Sequence, residues 1–92
     1  MDDEVRRSIL ECFWDQYMLV YELSDEIEQV IPMTVAVNQG KIAFQLVYSN
    51  QEGVNRLQSL IDSNSYFVIY QRQFRISYWH DTNPNVVTIT IE

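Results

Sequence analysis

The sequence is poor in the residues that mark secreted proteins, metal centres and phosphate-binding loops. It contains one cysteine, one histidine and two glycines. A lone cysteine, Cys12, cannot form an intramolecular disulfide, and a single histidine cannot supply the paired ligands of a zinc site. Gly40 and Gly53 are too few for a glycine-rich phosphate loop. We therefore expect no disulfide, no metal and no cofactor.

Long apolar stretches and an excess of basic residues are also missing. No segment approaches the ~20 apolar residues of a membrane span, and the start Met-Asp-Asp-Glu is the opposite of a basic signal peptide. These features predict a cytoplasmic protein that does not bind membranes. Nucleic-acid affinity comes largely from Lys and Arg, and only six are present against 13 acidic residues. Direct binding to nucleic acid is therefore not expected.

Side chains suited to catalysis are equally sparse. Cys12 and His80 would form a nucleophile and base only if the fold brought distant segments together. Asp81 follows His80 directly, and neighbouring side chains on a strand diverge. Six of the 13 carboxylates lie on one predicted helix face that is exposed to solvent, where a raised pKa is hard to obtain. We expect no enzymatic activity.

What the chain does contain is apolar and aromatic residues in the proportion of a folded domain. Apolar residues make up 47% of its 92 positions, and we interpret the whole chain as a single α+β domain. Its charge is unevenly distributed. Nine of the 13 acidic residues lie in the first 30 positions, whereas residues 31–92 balance at zero. This asymmetry predicts a partner for the N-terminal segment.

Residues 2–31 separate on a helical wheel into an acidic stripe and a broad apolar arc. The pattern predicts a long amphipathic helix that ends before Pro32, or two helices if Ser24 caps a second one. A strand over 16–23 is disfavoured because it would scatter the stripe over both faces of a sheet. The carboxylates of the stripe are Glu4, Glu11, Asp15, Glu22, Asp25 and Glu26, and Arg7, Ser8, Met18 and Gln29 share it.

The apolar arc is wider than packing on one sheet requires. It covers about 200° of the wheel, whereas a core-facing stripe needs little more than 100°. Part of it is therefore expected to remain open for a second copy or for another partner. The aromatic residues on its flank are the expected anchors, since interfaces favour such side chains: Trp14, Tyr17 and Tyr21.

After Pro32 the apolar period changes to two. Strands 33–37 and 42–48 are predicted to form a hairpin that turns at Gly40. Ser49 and Glu52 fit a capping box, which predicts a helix from there to about Asp62. The polar stretch 81–85 predicts a turn before a last strand over 86–91.

Residues 66–80 allow one long bent strand or two strands that turn near 71–73. The absence of glycine and proline there favours the bent strand. That interpretation puts Val68, Tyr70 and Phe74 on the core face, and it puts Phe67, Ile69 and Trp79 on the other. The order αββαββ then predicts an antiparallel sheet of four strands, or of five if 66–80 divides, with the helices mainly on one face.

The first functional hypothesis is a small acidic inhibitor or immunity-type protein that docks its helix on a protein with a basic surface. Successive carboxylates would lie ~6 and ~10 Å apart along the axis, so the stripe can imitate a nucleic acid. Arg72 and Arg75 are expected to pair with this helix, within the chain or across a dimer. The predicted partner-binding residues are Glu4, Glu11, Asp15, Glu22, Asp25, Glu26, Trp14, Tyr17 and Tyr21.

The alternative is a dimeric adaptor or chaperone that binds a partner segment through apolar grooves. The helix-first α+β order resembles that of the small acidic chaperones of type III secretion systems. This chain is shorter and lacks the C-terminal helix of that family, so the resemblance covers topology alone. A structural subunit of a larger assembly is a third hypothesis.

Overall fold

The computed structural model describes residues 3–19, 25–33 and 41–92. Within these ranges the chain is α+β, with two α-helices and one five-stranded antiparallel sheet. The strand order across the sheet is β1-β2-β5-β4-β3. The elements are helix α1 (Asp3–Phe13), a π-helical segment (Trp14–Met18), β1 (Ile27–Pro32), β2 (Ile42–Tyr48), α2 (Gln51–Ser63), β3 (Tyr66–Ile69), β4 (Arg72–His80) and β5 (Val86–Ile91).

The core lies between the helices and one face of the sheet. In the register of β2 and β5, Ile42 faces Ile91 and Phe44 faces Ile89, which places one apolar row beside another. Helix α1 adds the buried Ile9 and Phe13 to this layer. The alternation predicted for 42–48 and 86–91 is confirmed in both strands.

The N-terminal helix is confirmed over α1 but changes its geometry after Phe13. The Leu19 N–H donates to the Trp14 carbonyl, five residues back, at 3.2 Å. This wider turn shifts the phase of the wheel, so Met18 lies fully buried in the core. Its predicted place among the carboxylates was wrong because the wheel assumed 3.6 residues per turn throughout.

The continuation of this helix to residue 31 was wrong. Ile27–Pro32 forms β1, in which Val30 pairs with Leu46 and Ile31 with Gln45 of β2. β-Branched residues suit a pleated, half-buried surface, and pairing with β2 overrides the helical pattern. β2 therefore pairs with 27–32, and the Met33 N–H also donates to the Ala43 carbonyl at 2.9 Å. The rest of the strand predicted over 33–37 lies outside the described residues. The turn at Gly40 and the proposed break at Ser24 lie outside the described residues.

Helix α2 starts one residue later than the capping box predicts. Asn50 is the N-cap, and its Oδ1 accepts a hydrogen bond from the Gly53 N–H at 3.2 Å. Glu52, which was expected to close the box, pairs with Arg56 one turn on. The helix ends at Ser63, close to the predicted end.

Residues 66–80 form two strands, so the bent-strand interpretation was wrong. Tyr70 and Gln71 turn the chain with φ angles of 54° and 59°, a left-handed conformation that hairpin turns usually fill with Asn or Gly. In the resulting register Phe67 pairs with Phe74. The turn therefore exchanges the two faces: Phe67 lies in the core, while Val68 is 69% exposed.

Candidate partner-binding surface

Three of the predicted carboxylates form one exposed row on the first helical segment. Glu4, Glu11 and Asp15 are all exposed, on α1 and at the start of the π-helical segment. Their spacing of seven and four residues separates them by roughly 10 and 6 Å along the axis. We call these three residues the acidic face.

None of the ion pairs among the described residues involves the acidic face, although Arg7 lies three residues after Glu4 and four before Glu11 on α1. Lys41 and Arg75 bind Glu92 at 3.2 and 2.7 Å, and Arg56 binds Glu52 at 2.6 Å. Hydrogen bonds from Arg75 and then from Lys41 hold the pKa of Glu92 below its usual range. The expected pairing of the arginines of β4 with the acidic helix is therefore not found among the described residues.

Arg72, the second arginine of β4, has a different neighbour. Its guanidinium lies 4.7 Å from the centre of the Phe74 ring, a cation–π distance. Arg72 and Phe74 are both on β4, so this contact lies within one strand and does not reach the acidic face.

The other three predicted carboxylates do not extend the acidic face. Asp25 is exposed but follows the π-helical segment, and Glu22 lies outside the described residues. Glu26 turns inward, with its Oε2 buried beside Gly53 and without a hydrogen-bond partner among the described residues. Burial, followed by the nearby Glu26 carboxylate, raises the pKa of Tyr48 well above its ordinary value.

The predicted aromatic anchors occupy different environments. Tyr17 is 2% exposed, and its hydroxyl donates a hydrogen bond to the Asn64 carbonyl. Its ring stacks on Phe13 with centroids 5.3 Å apart, and burial is the main cause of its raised pKa. Tyr17 thus joins the π-helical segment to the C-terminal end of α2 and is not available to a partner. Tyr21 lies outside the described residues, whereas Trp14 is half-buried.

Trp14 lines an apolar pocket of about 260 Å³ between α1 and the β1–β2 edge of the sheet, here called the Trp14 pocket. The wide apolar arc predicted that the helix flank carrying Trp14 would remain partly open. The β1 wall of the pocket could not be foreseen, because those residues were assigned to the helix. The lining residues are Arg6, Leu10, Phe13, Trp14, Val30, Pro32, Ile42, Ala43 and Phe44.

A second, more open groove lies on the opposite flank of α1. We call it the Tyr70 groove; it encloses about 520 Å³ and is lined by Ser8, Glu11, Cys12, Asp15, Gln16, Ile69 and Tyr70. The Ser8 Oγ lies 3.0 Å from the Tyr70 hydroxyl. Burial, and then the Asp15 carboxylate, raises the pKa of Cys12. Sequence reasoning missed this groove because it placed Tyr70 on the core face of a bent strand.

The sheet face away from the helices carries exposed apolar side chains. Trp79 is 63% exposed, as its place on the less apolar face predicts, with Val47 and Val86 half-buried on the same face. Phe67 and Ile69 were expected on this face, but the β3–β4 turn places them on the core side. Tyr66 and Val68 take their place on the uncovered face.

The residues considered for catalysis occupy separate surroundings. The Gln58 side chain lies 3.2 Å from the Nδ1 of His80, and Cys12 lines the Tyr70 groove. Asp81 accepts hydrogen bonds from the Asn83 N–H and the Thr82 hydroxyl, which lower its pKa. Among the described residues no cluster of three or more acidic, histidine or cysteine side chains is arranged to hold a metal ion.

In the part of the chain that the structure describes, no helix has the length and apolar content needed to cross a membrane. Comparison of the chain with protein-family models, with curated proteins and with solved structures finds no match.

Proposed function

We propose that this chain is a small acidic protein-binding protein of inhibitor or immunity type. Its acidic face docks on the basic surface of a partner protein. The observation that carries the proposal is that Glu4, Glu11 and Asp15 are exposed and have no ion pair among the described residues, while Lys41, Arg56 and Arg75 pair elsewhere. A net charge of -7 adds long-range attraction to a basic partner.

The spacing of the acidic face suits a partner whose surface normally binds phosphates. Two intervals of roughly 10 and 6 Å present carboxylates along one line, as a nucleic-acid strand presents phosphates. The guanidinium of arginine donates paired hydrogen bonds to carboxylates and to phosphates with the same geometry. The proposal therefore includes nucleic-acid mimicry, in which the chain occupies the binding surface of a nucleic-acid-binding protein.

The test is capture of a partner from a lysate of the source cells at low and high salt. A variant with Glu4, Glu11 and Asp15 changed to Lys should lose the partner, which the unmodified chain binds at low salt and releases at high salt. The control changes Glu28, Glu52 and Asp62 to Lys, which alters the net charge equally. The two variants must keep the circular dichroism spectrum of the parent. Equal capture by the two would contradict the proposal.

A second function, that of an adaptor or chaperone for a partner segment, is favoured by the Trp14 pocket. Its walls are mostly apolar, and Leu10 of α1, Trp14 of the π-helical segment and Val30 of β1 all line it. Binding through an apolar partner side chain in this pocket would not depend on the salt concentration. Trp14→Ala should then abolish capture while the Lys variant of the acidic face retains it. The opposite result supports the acidic face.

A further inference from the structure

The two edges of the sheet are protected to different degrees. β1 ends in Pro32, and its register shifts between Ile27 and Gln29. Prolines and bulges are common means of blocking the addition of another strand. At the other edge, β3 reads Tyr66-Phe67-Val68-Ile69 and contains neither proline nor charge. Among the described residues, β3 is protected mainly by its short length of four residues.

The hydrogen bonds of β3 show which of its backbone groups face outward. The Ile76 N–H of β4 donates to the Ser65 carbonyl at 2.7 Å, which sets the phase of this antiparallel pair. Alternate residues of such a strand turn their backbone groups toward the partner and away from it. Phe67 thus faces β4, whereas the N–H and C=O of Val68 point to the open side. The Tyr66 N–H, also on the open side, donates a long hydrogen bond to the Asn64 Oδ1 at 3.4 Å.

The first helical segment runs antiparallel to β3 and above it. At one end the Ser8 hydroxyl contacts Tyr70, which follows β3, and at the other end Tyr17 binds Asn64, which precedes it. Glu11 and Asp15 lie between these two contacts and line the Tyr70 groove. The open edge of β3 is therefore accompanied on its helix side by two carboxylates without an ion pair among the described residues.

We propose that β3 accepts an extended segment of the partner protein as a sixth strand, and that this segment alternates basic and apolar residues. The residue opposite Val68 lies on the open sheet face beside the exposed Val68 side chain, so it is apolar. The residues on either side of it point toward the helix, where Glu11 and Asp15 select Lys or Arg. This inference rests on the proposed function, because it names the part of the basic partner that the chain recognises.

A second copy of the chain fits this edge less well. Pairing β3 with itself would join two edges of four residues each. The area buried by such a contact alone is far less than the ~1,200–2,000 Å² of a stable interface. Each copy also carries a net charge of -7, which opposes self-association and favours a cationic segment.

The test uses a fluorescent peptide, acetyl-Lys-Val-Lys-Val-Lys-Val-Lys-amide, and the intact chain, with binding measured by anisotropy. Val68→Pro removes one outward N–H and leaves the hydrogen bonds to β4 in place. It should raise the Kd about tenfold or more, whereas the matched control Val68→Thr should change it less than about twofold. A peptide with N-methylated valines should lose binding to the same extent, and this arm stands even if Val68→Pro fails to fold.

The remaining arms separate this inference from the proposed function. Glu11→Gln with Asp15→Asn should weaken binding and flatten its salt dependence. If this double variant weakens binding while Val68→Pro and the N-methylated peptide do not, strand addition is refuted and the acidic face keeps its role. If none of these changes alters binding, or if the peptide does not bind, the inference fails. If Val68→Pro changes the sedimentation of the chain but not its binding of the peptide, the edge of β3 pairs with a second copy, and the proposal of a partner segment is refuted.

Discussion

Gly53 lies in helix α2, where an alanine ordinarily stabilises a protein, yet here we expect Gly53→Ala to destabilise it. A Cβ at this position would overlap the Tyr48 ring at Cδ1 and lie 2.9 Å from its Cε1 and 2.7 Å from the Glu26 Oε2. Tyr48 is 1% exposed, and its hydroxyl packs on the Met18 sulfur at 3.9 Å. The ring is therefore enclosed and cannot turn aside to admit a methyl group.

The magnitude follows from two opposing contributions. Replacing a helical glycine by alanine gains about 1 kcal/mol, and overpacking a filled core costs about 1–3 kcal/mol. The overlap with a buried ring places the cost near the upper half of that range, so we expect a net loss of about 1 kcal/mol. For a chain of this length such a loss lowers the thermal midpoint by about 4–8 °C.

Thermal unfolding followed by circular dichroism measures this effect directly. Ser59→Ala is the matched control, because Ser59 is exposed on the same helix. It should leave the midpoint unchanged or raise it slightly. A midpoint for Gly53→Ala at or above that of the parent would show that α2 does not approach Tyr48 as closely as described, and the packing argument would then be refuted.

Three further predictions concern single side chains. Gln71→Gly should raise the free energy of unfolding in urea by about 1 kcal/mol, because glycine adopts the left-handed φ without strain; a decrease would contradict the turn geometry. Because the pKa of Tyr48 is raised in the folded state, its contribution to stability is complete below its unfolded pKa of about 10 and falls as the pH rises above it. Tyr48→Phe should therefore lose less stability than the parent between pH 8 and 11 in urea titrations, and an equal loss would contradict the burial of the phenol. Cys12, whose pKa is raised by burial and by Asp15, should react with iodoacetamide at pH 8 more slowly than free cysteine, and Asp15→Asn should speed the reaction; no change would remove Asp15 as a cause.

Alternation of apolar residues predicted the strands that pair along both of their edges, and capping residues predicted helix α2. β2 and β5 lie in the middle of the sheet, so their apolar residues recur with a clear period of two. The start of helix α2 was predicted to within one residue, because Ser49 and Asn50 both suit an N-cap and only the folded geometry selects Asn50.

The edge of the sheet was harder to predict for a physical reason. β1 is exposed or half-buried at all six positions, so burial imposes no period of two on it. Asp25 and Glu26 continue the helical spacing of the preceding carboxylates, and that spacing carried the helix prediction into the strand. The pairing of Val30 with Leu46 is a long-range contact that no local pattern reveals.

The candidate surface was predicted in part, for similar reasons. Glu4 and Glu11 precede the π-helical segment and Asp15 lies near its start, so a wheel of 3.6 residues per turn still places all three on one exposed face. The turn that brings Tyr70 to the groove has no glycine, asparagine or proline, so it gives no sequence signal. Once the register of β3 and β4 is known, the open face and the outward groups of Val68 follow from the antiparallel pattern alone.

The association rate constant with the captured partner, measured as a function of ionic strength, tests the central claim most directly. If the acidic face steers and docks the chain, the rate constant should fall steeply between about 50 and 500 mM salt, since charged surfaces are screened over that range. The variant with Glu4, Glu11 and Asp15 changed to Lys should associate slowly at low salt and show no such fall. A rate constant that is independent of salt in the parent, or equal in the two proteins, would contradict the account.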